Sequence, residues 1–384
     1  MKIIDLRIRG EEKILCPFLP EGRKENMYEL CGKVRDLEPY EPIKGTYRIR
    51  LDANESFYNM PDEIKQEIKD IIDVMPFNRY PDSTAEKPIK AFAEYYGISP
   101  ENVTATNGSD EMLYILASAM LERNSVVVVA EPDFSMYKFY SALSENTVIA
   151  YQKTAGLQID VDELIKTVNE NNADMVIFSN PCNPTGQGMT AENARKLIKS
   201  VKALVVLDEA YMDFWDESIL KEAAEYDNLI VLKTASKAVG GAAIRLGFAV
   251  ANAKITRALQ AVKSPYNVNT VTQEIGTVIY KHKELLNERC AEIIKNTKNL
   301  YEGLMTLKER YDMPIEIYKP CTNFVLMKAD FARSAYEYLL ESGIAVRYFK
   351  PDYLRITAGS QEEDEEFLRY FEKYIVEKYV YMGI

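Results

Sequence analysis

Histidine occurs once in the 384 residues, and that scarcity closes off much chemistry. The residue, His282, sits in the charged stretch YKHKELLNER, which predicts a solvated helix face. A Ser-His-Asp relay, an HExxH metalloprotease or a histidine-rich metal centre would need imidazoles that this chain does not have. Acid–base work therefore falls to lysine, tyrosine, aspartate or glutamate. Cysteine is sparse as well: the five residues (Cys16, Cys31, Cys182, Cys290 and Cys321) are odd in number and form no CxxC pair. Neither a disulfide framework nor a zinc site is expected. No apolar run approaches the roughly 18 residues of a membrane helix. The first residues, MKIIDLRIRGEEKILC, carry charges throughout and lack the apolar region of a signal peptide. The expectation is a soluble, cytoplasmic protein with no membrane partner. No long Lys/Arg run is present and the net charge is −12, which argues against nucleic acid as a partner. GxGxxG and GxxxxGK[ST] are also absent, so a nucleotide-dependent α/β enzyme is disfavoured.

What is present is an ordinary globular composition, 47% hydrophobic and 28% charged. At roughly 100–200 residues per domain, the length suggests two domains, or one large one with an appendage. From Asn102 to Asn252 short β-branched runs (SVVVVAEP, NTVIAY, ADMVIFSN, ALVVLDEA, NLIVLKTA, LGFAVAN) alternate with helix-length amphipathic pieces. Ser109, Asp160 and Thr190 are the expected helix N-caps. Such alternation predicts a mostly parallel sheet covered by helices on both faces. After Asn269 comes one long helical pattern, broken at most once. Beyond it PIEIY, NFVLMKA, IAVRYF and YLRITAG read as strands, interleaved with helices at Phe331–Ser342 and Gln361–Tyr379, a second and smaller α/β unit. In α/β sheets ligands gather at the carboxyl ends of strands. The polar clusters SNPCNPTG, DEAYMDF and TASK each follow an apolar run, so all three should face one crevice.

Within TASKAVGGAAIRLGF, Lys237 and Arg245 stand among small residues. A partly desolvated lysine at a strand end favours its neutral, nucleophilic amine. Thr234 and Ser236 add hydroxyls, Arg245 adds a fork suited to phosphate, and the glycines allow close backbone approach. The set describes a lysine beside a phosphate cradle, as a phosphorylated aldehyde requires. Pyridoxal phosphate accounts for the remaining clusters. Asp208, ending a buried run, would keep the pyridine nitrogen protonated. Tyr211 and Asn183 would donate to the phenolic oxygen. Gly108, Ser109 and Asp110 open a helix whose N–H groups favour phosphate, and Phe134 would stack on the ring.

The segments SNPCNPTG, LDEAYMDF and TASKAVGGAAIRLGF resemble the fold-type-I, class I/II aminotransferases, from about Val34 to the C-terminus. RDLEPYEP, LDANES, NRYPD, TNGSDE, SPYNVNTVTQ and VRYF…YLRITAG are similar to the histidinol-phosphate aminotransferases within that family. The resemblance implies a large domain with a mixed, mostly parallel sheet flanked by helices, and a smaller α/β domain. The layout it implies is an arm over 1–33, a large cofactor-binding domain over 54–285, and a small domain from 34–53 and 286–384. It makes Lys237 the Schiff-base lysine and proton shuttle, Asp208 the pyridinium partner, and Asn183 and Tyr211 the phenolic-oxygen donors. Thr234, Ser236, Arg245, Gly108 and Ser109 would hold the phosphate, with Tyr80 reaching it from the other subunit of a homodimer whose active sites are shared. Arg355 would clamp the substrate carboxylate, with Asn54 lining the pocket and Tyr40 and Arg347 near the distal group. No metal is implied. The family's Asn-Glu-Asn-Pro-Tyr-Gly is here Asn54-Glu55-Ser56-Phe57-Tyr58-Asn59, and the KPD link before YLRITAG is short. The implied reaction moves an amino group from a histidinol-phosphate or aromatic donor to a 2-oxo acid such as 2-oxoglutarate. Decarboxylation or elimination on a phosphorylated amino acid, and a non-catalytic regulatory role, are the alternatives.

Overall fold

The computed structural model describes residues 28–380 apart from Asp36, Tyr40 and Pro42. Tyr40 and most of the expected arm thus lie outside the described residues. The chain divides into two units, residues 1–42 and 43–384. In the first, the described residues include the short helix Gly32–Arg35.

The second unit opens with β1 (Ile49–Arg50), followed by seven strands of one sheet. These are β2 (Val103–Thr106), β3 (Val126–Glu131), β4 (Thr147–Gln152), β5 (Met175–Ser179), β6 (Leu204–Asp208), β7 (Leu229–Thr234) and β8 (Gly247–Ala251), in the order β2-β8-β7-β6-β5-β3-β4. Strands β4, β3, β5, β6 and β7 run parallel, and β8 is antiparallel to both neighbours. The parallel strands are nearly continuous Val, Ile and Leu because both faces are covered, as all-parallel pairing by helical crossovers demands. Alternate residues enter opposite cores. Val176 and Phe178 pack with Phe92, Leu164 and Leu197, whereas Met175 and Ile177 pack with Met112, Leu116 and Leu259. Helices Glu86–Tyr96, Val161–Glu170, Ala191–Ser200 and Thr270–Lys281 thereby cover one face. Gly108–Ala119, Met136–Leu143 and Ala253–Val262 cover the other. Strand β2 is short, with threonine at alternate positions, and leaves no apolar run in the sequence; its antiparallel pairing with β8 marks it.

The long helical pattern divides at His282 into Thr270–Lys281 and Lys283–Arg310. His282 is therefore not on a helix face: it occupies the break, with Nε2 3.1 Å from Glu67. A second, antiparallel sheet follows, β12-β13-β10-β9, from β9 (Glu316–Tyr318), β10 (Phe324–Lys328), β12 (Arg347–Phe349) and β13 (Tyr353–Thr357). Its core takes Leu300, Leu304 and Leu307 from the long helix, and Phe367 and Phe371 from Gln361–Tyr374. The expected single strand IAVRYF splits in two. Ile344–Ala345 (β11) pairs parallel with β1, and the short KPD turn folds Arg347–Phe349 back on β13 instead.

Asp160 and Thr190 cap their helices as expected. Ser109 does not: Asn107 is the N-cap and the helix begins at Gly108, whose φ of +76° makes the turn. One acidic residue carries a stability consequence. Asp364 accepts from the Gly359 N–H at 2.9 Å, but its Oδ2 is buried without a partner among the described residues. Burial, with the nearby Glu363 charge, raises its carboxyl to about 7. The folded state thus holds that proton more tightly than the unfolded chain, and the associated stability is lost as pH rises from about 4 to about 7. Asp364→Asn should raise the thermal midpoint by a few degrees at pH 8, with the gain shrinking toward pH 4. An unchanged midpoint at pH 8 would refute this.

Candidate active site

Because β5, β6 and β7 are adjacent and parallel, the loops after them leave the same edge of the sheet. They carry Asn183, Asp208 with Tyr211, and Thr234–Arg245. The loop after β3 adds Phe134 beside them.

Asp208 is the last residue of β6 and is 4% exposed. Its Oδ1 accepts from the Ala210 N–H at 3.0 Å and its Oδ2 from the Tyr137 hydroxyl at 2.8 Å. Burial raises the carboxyl to about 6, while those two hydrogen bonds pull it down. Tyr137, which the sequence reading passed over, is itself held well above its usual range by burial. Its signal was present as a tyrosine one helical turn after Phe134, with nothing local to link it to a carboxylate 71 positions away. Phe134 meets the Tyr137 ring edge-on, with centroids 5.6 Å apart.

Lys237 lies in the turn after β7. Its Nζ donates to the Ala53 carbonyl at 3.1 Å and sits 5.7 Å from the centre of the Tyr211 ring. The Tyr211 hydroxyl accepts from Asn54 Nδ2 at 2.9 Å. Asn54, fully buried and left-handed at φ 54°, is fixed by Thr357, whose hydroxyl accepts from the Asn54 N–H and donates to Asn54 Oδ1, both at 3.0 Å. Beside Lys237, the Thr234 and Ser236 hydroxyls are 3.0 Å apart, and Arg245 Nη1 donates to Ser236 Oγ at 3.3 Å. Arg245 Nη2 pairs with Asp110 at 3.2 Å. Arg245 adopts φ 52°, a left-handed backbone costing on the order of 1 kcal/mol, which turns its side chain back to the helix at Gly108. A Cβ on Gly108 would lie 2.9 Å from Arg245 Nη2, and one on Gly247 would lie 2.4 Å from the Ser109 nitrogen. Glycine at both positions lets the helix start, a hydroxyl pair and a guanidinium converge.

Arg355, 6% exposed on β13, donates through Nη2 to the Asp52 carbonyl at 2.6 Å and through Nη1 to Asn183 Oδ1. Arg347 is its cross-strand partner, so the two guanidinium groups leave the same face of the sheet. The structure therefore joins Lys237, Asp208, Tyr211, Asn54, Asn183, Arg355 and the Gly108–Arg245 cradle. It does not bring Tyr80 there: that ring is 82% exposed and stacks on Tyr266, centroids 4.8 Å apart. Among the described residues no group of three or more His, Cys, Asp or Glu forms a metal site.

The chain matches the family described as aminotransferase class I and II over residues 47–371. The histidinol-phosphate aminotransferase of Clostridium kluyveri is 41% identical over 340 residues, which span 87% of this chain and 95% of that protein. That of Pyrococcus furiosus is 34% identical, over 90% and 98% of the two chains. Among solved structures, the Sinorhizobium meliloti histidinol-phosphate aminotransferase in complex with pyridoxal-5'-phosphate superposes with a TM-score of 0.81, covering 92% of this chain and 99% of that one. At 20% identity that likeness speaks to the fold alone, and it is the fold expected of strand-end clusters facing one crevice. This chain belongs to the class I and II aminotransferase family.

Proposed function

We propose that the chain uses pyridoxal phosphate to move the amino group of histidinol phosphate, or a closely similar donor, onto a 2-oxo acid. The observation that carries this is the convergence of buried Asp208, Lys237 and the Gly108–Arg245 cradle at one sheet edge. The donor set fits the cofactor. The cradle offers helix N–H groups, two hydroxyls and a guanidinium to a phosphate. Asp208 offers a buried carboxylate to a protonated ring nitrogen, and Tyr211 and Asn183 offer side-chain donors to a phenolic oxygen. When bound, pyridoxal phosphate supplies an aldehyde carbon that takes up the amino group and a ring that accepts the electrons released at Cα.

The chain's own groups do the rest. Lys237 Nζ would take a proton from Cα and return it to the former aldehyde carbon, on the other side of the amino nitrogen, and its hydrogen bond to the Ala53 carbonyl positions the amine. Asp208 holds the ring-nitrogen proton, with Tyr137 orienting the carboxylate. Arg355, held by Asn183 and the Asp52 carbonyl, binds the substrate's anionic group bidentately, and Arg347 lies opposite for a second charge. Two arginines side by side on one face of the sheet suit a dianion such as a phosphate monoester, and relatives up to 41% identical carry the histidinol-phosphate name. We assign 54–285 to the large domain and 34–53 with 286–384 to the small one, the β1–β11 pairing being one tie between the latter segments. Two copies would share their sites, Tyr80 crossing to the partner's phosphate, since an exposed stacked tyrosine pair is surface that a partner can cover. The cytoplasm is the compartment proposed, where the free thiols of Cys182, Cys290 and Cys321 persist.

The test is a visible absorption scan of protein loaded with pyridoxal phosphate, repeated with histidinol phosphate, phenylalanine and glutamate. A cofactor band bleached by histidinol phosphate at the lowest concentration, and restored by 2-oxoglutarate, is expected. A band that no donor changes, or carbon dioxide released without an acceptor, would overturn the reading.

A further inference from the structure

Between the loops after β3 and β5 lies a buried ion pair that the chemistry above does not use. Lys153 follows the edge strand β4, and Asp133 follows β3. Their side chains are each 1% exposed and 3.2 Å apart. Lys153 Nζ has three N–H groups and meets three acceptors: Asp133 Oδ2, the Pro132 carbonyl at 2.8 Å and Cys182 Sγ at 2.9 Å. The ammonium thereby ties the loop after β3 to the loop after β5, across a strand boundary.

Asp133 distributes that tie to both sides of the site. Its carboxylate accepts from the Phe134 N–H at 2.8 Å, fixing the backbone of the ring-facing aromatic. It also accepts from the Ser179 N–H and hydroxyl. Ser179 Oγ in turn accepts from the Asn183 N–H at 3.1 Å, and Asn183 holds Arg355. One carboxylate thus sets where Phe134 and Asn183 stand, and one ammonium balances its charge in a place water does not reach. A buried carboxylate without a partner is strongly disfavoured, so the ammonium is what holds Asp133 in place.

We propose that Lys153 and Asp133 are positioning residues for the transamination site, a buried pair that sets Phe134 and Asn183 against the cofactor and, through Asn183, aims Arg355. The inference rests on the pyridoxal-phosphate reading and extends it to residues that touch neither cofactor nor substrate. Damage to general packing would not be rescued by removing both charges, whereas damage to charge balance would be. Among the described residues, the titratable groups that interact with Asp133 are Lys153, Cys182, Tyr137 and Asp208. Of these only Lys153 is cationic.

The test compares wild type, Lys153→Met, Asp133→Asn and the double variant by absorbance titration of cofactor-free protein with pyridoxal phosphate, and by kcat and KM across pH 5.5–9. In Lys153→Met, Asp133 loses the cation that balances its charge and the bond that fixes its carboxylate. Cofactor affinity and kcat should fall by about 10²-fold, the usual penalty for misplacing a site's groups by an ångström. In Asp133→Asn the buried ammonium loses its counter-charge instead, and affinity and kcat should fall as well. The double variant, neutral at both positions, should recover most of the affinity. If Lys153→Met does not fold, Asp133→Asn and the double variant carry the same test. Affinity and pH profile equal to wild type in the single variants would overturn the proposal. So would a loss in the single variants that the double variant does not restore. Failure of the wild type to bind pyridoxal phosphate would instead overturn the reading beneath it.

Discussion

Lys237→Ala is expected to lower turnover by at least about 10⁴-fold, the upper range for removing a positioned acid–base group, while leaving the fold intact. On the proposed reading, the amine carries the proton between the two carbons that flank the transferred nitrogen. The Tyr211 hydroxyl already accepts from Asn54, and Asp208 is committed to Tyr137 and Ala210. Nothing in the core depends on it, because its hydrogen bond runs to the Ala53 carbonyl, which water can satisfy after truncation. Lys237→Arg should be as inactive, since a guanidinium keeps the charge but cannot be deprotonated to act as base or nucleophile. Circular dichroism and the thermal midpoint should stay near wild type for both. The phosphate cradle is untouched, so pyridoxal phosphate should still bind, more weakly. Turnover within tenfold of wild type in either variant would remove Lys237 from the mechanism.

Why Lys237 was legible in the sequence, and Lys153 was not, is a matter of range. The strand-end clusters could be read because parallel strands leave a one-dimensional trace: a β-branched run, then polar residues, at each carboxyl end. Register then follows, since a buried strand must alternate its side chains between two cores, as Met175–Ser179 does. Contacts that join distant segments leave no such trace. Asp133 and Ser179 are 46 positions apart, and Tyr137 and Asp208 are 71. Each looked in isolation like an ordinary loop or helix residue. The split of IAVRYF was hidden for the same reason, because the partner β1 lies nearly three hundred residues earlier and only tertiary pairing tells Ile344–Ala345 from Arg347–Phe349. Ser109 was misread as a cap because its own side chain suits one. The turn is decided instead by Gly108, which must leave room for Arg245.

Asp208→Asn should move stability and activity in opposite directions, and that opposition is what marks the carboxylate as functional. With no cofactor bound, burial holds Asp208 at about 6, above its value in the unfolded chain. A raised carboxyl contributes stability that is present below about pH 4 and lost as pH climbs through 6. At pH 7.5 the cofactor-free protein therefore carries a buried charge that destabilises it by on the order of 3 kcal/mol. Asparagine removes that charge and keeps one hydrogen bond to each neighbour, although the Tyr137 hydroxyl gives up its acceptor. Its Oδ1 can accept from the Ala210 N–H, and its Nδ2 can donate to the Tyr137 hydroxyl, which is able to act as acceptor. The cofactor-free variant should thus melt higher than wild type at pH 7.5, and the gain should vanish near pH 4. The loaded enzyme should show the reverse. A neutral amide gives a protonated ring nitrogen no counter-charge, so cofactor affinity and kcat should both fall, kcat by roughly 10²–10³-fold as for loss of one electrostatic stabiliser. Calorimetry of the cofactor-free and loaded forms at two pH values, alongside kcat, reads both signs. A variant less stable without cofactor at pH 7.5 would show that Tyr137 and Ala210 need the carboxylate for structure. A variant more stable and fully active would show that the ring nitrogen does not need Asp208. The expected pattern, a more stable protein that no longer works, follows from a carboxylate held in a dry strand end where only a bound cation makes its charge favourable.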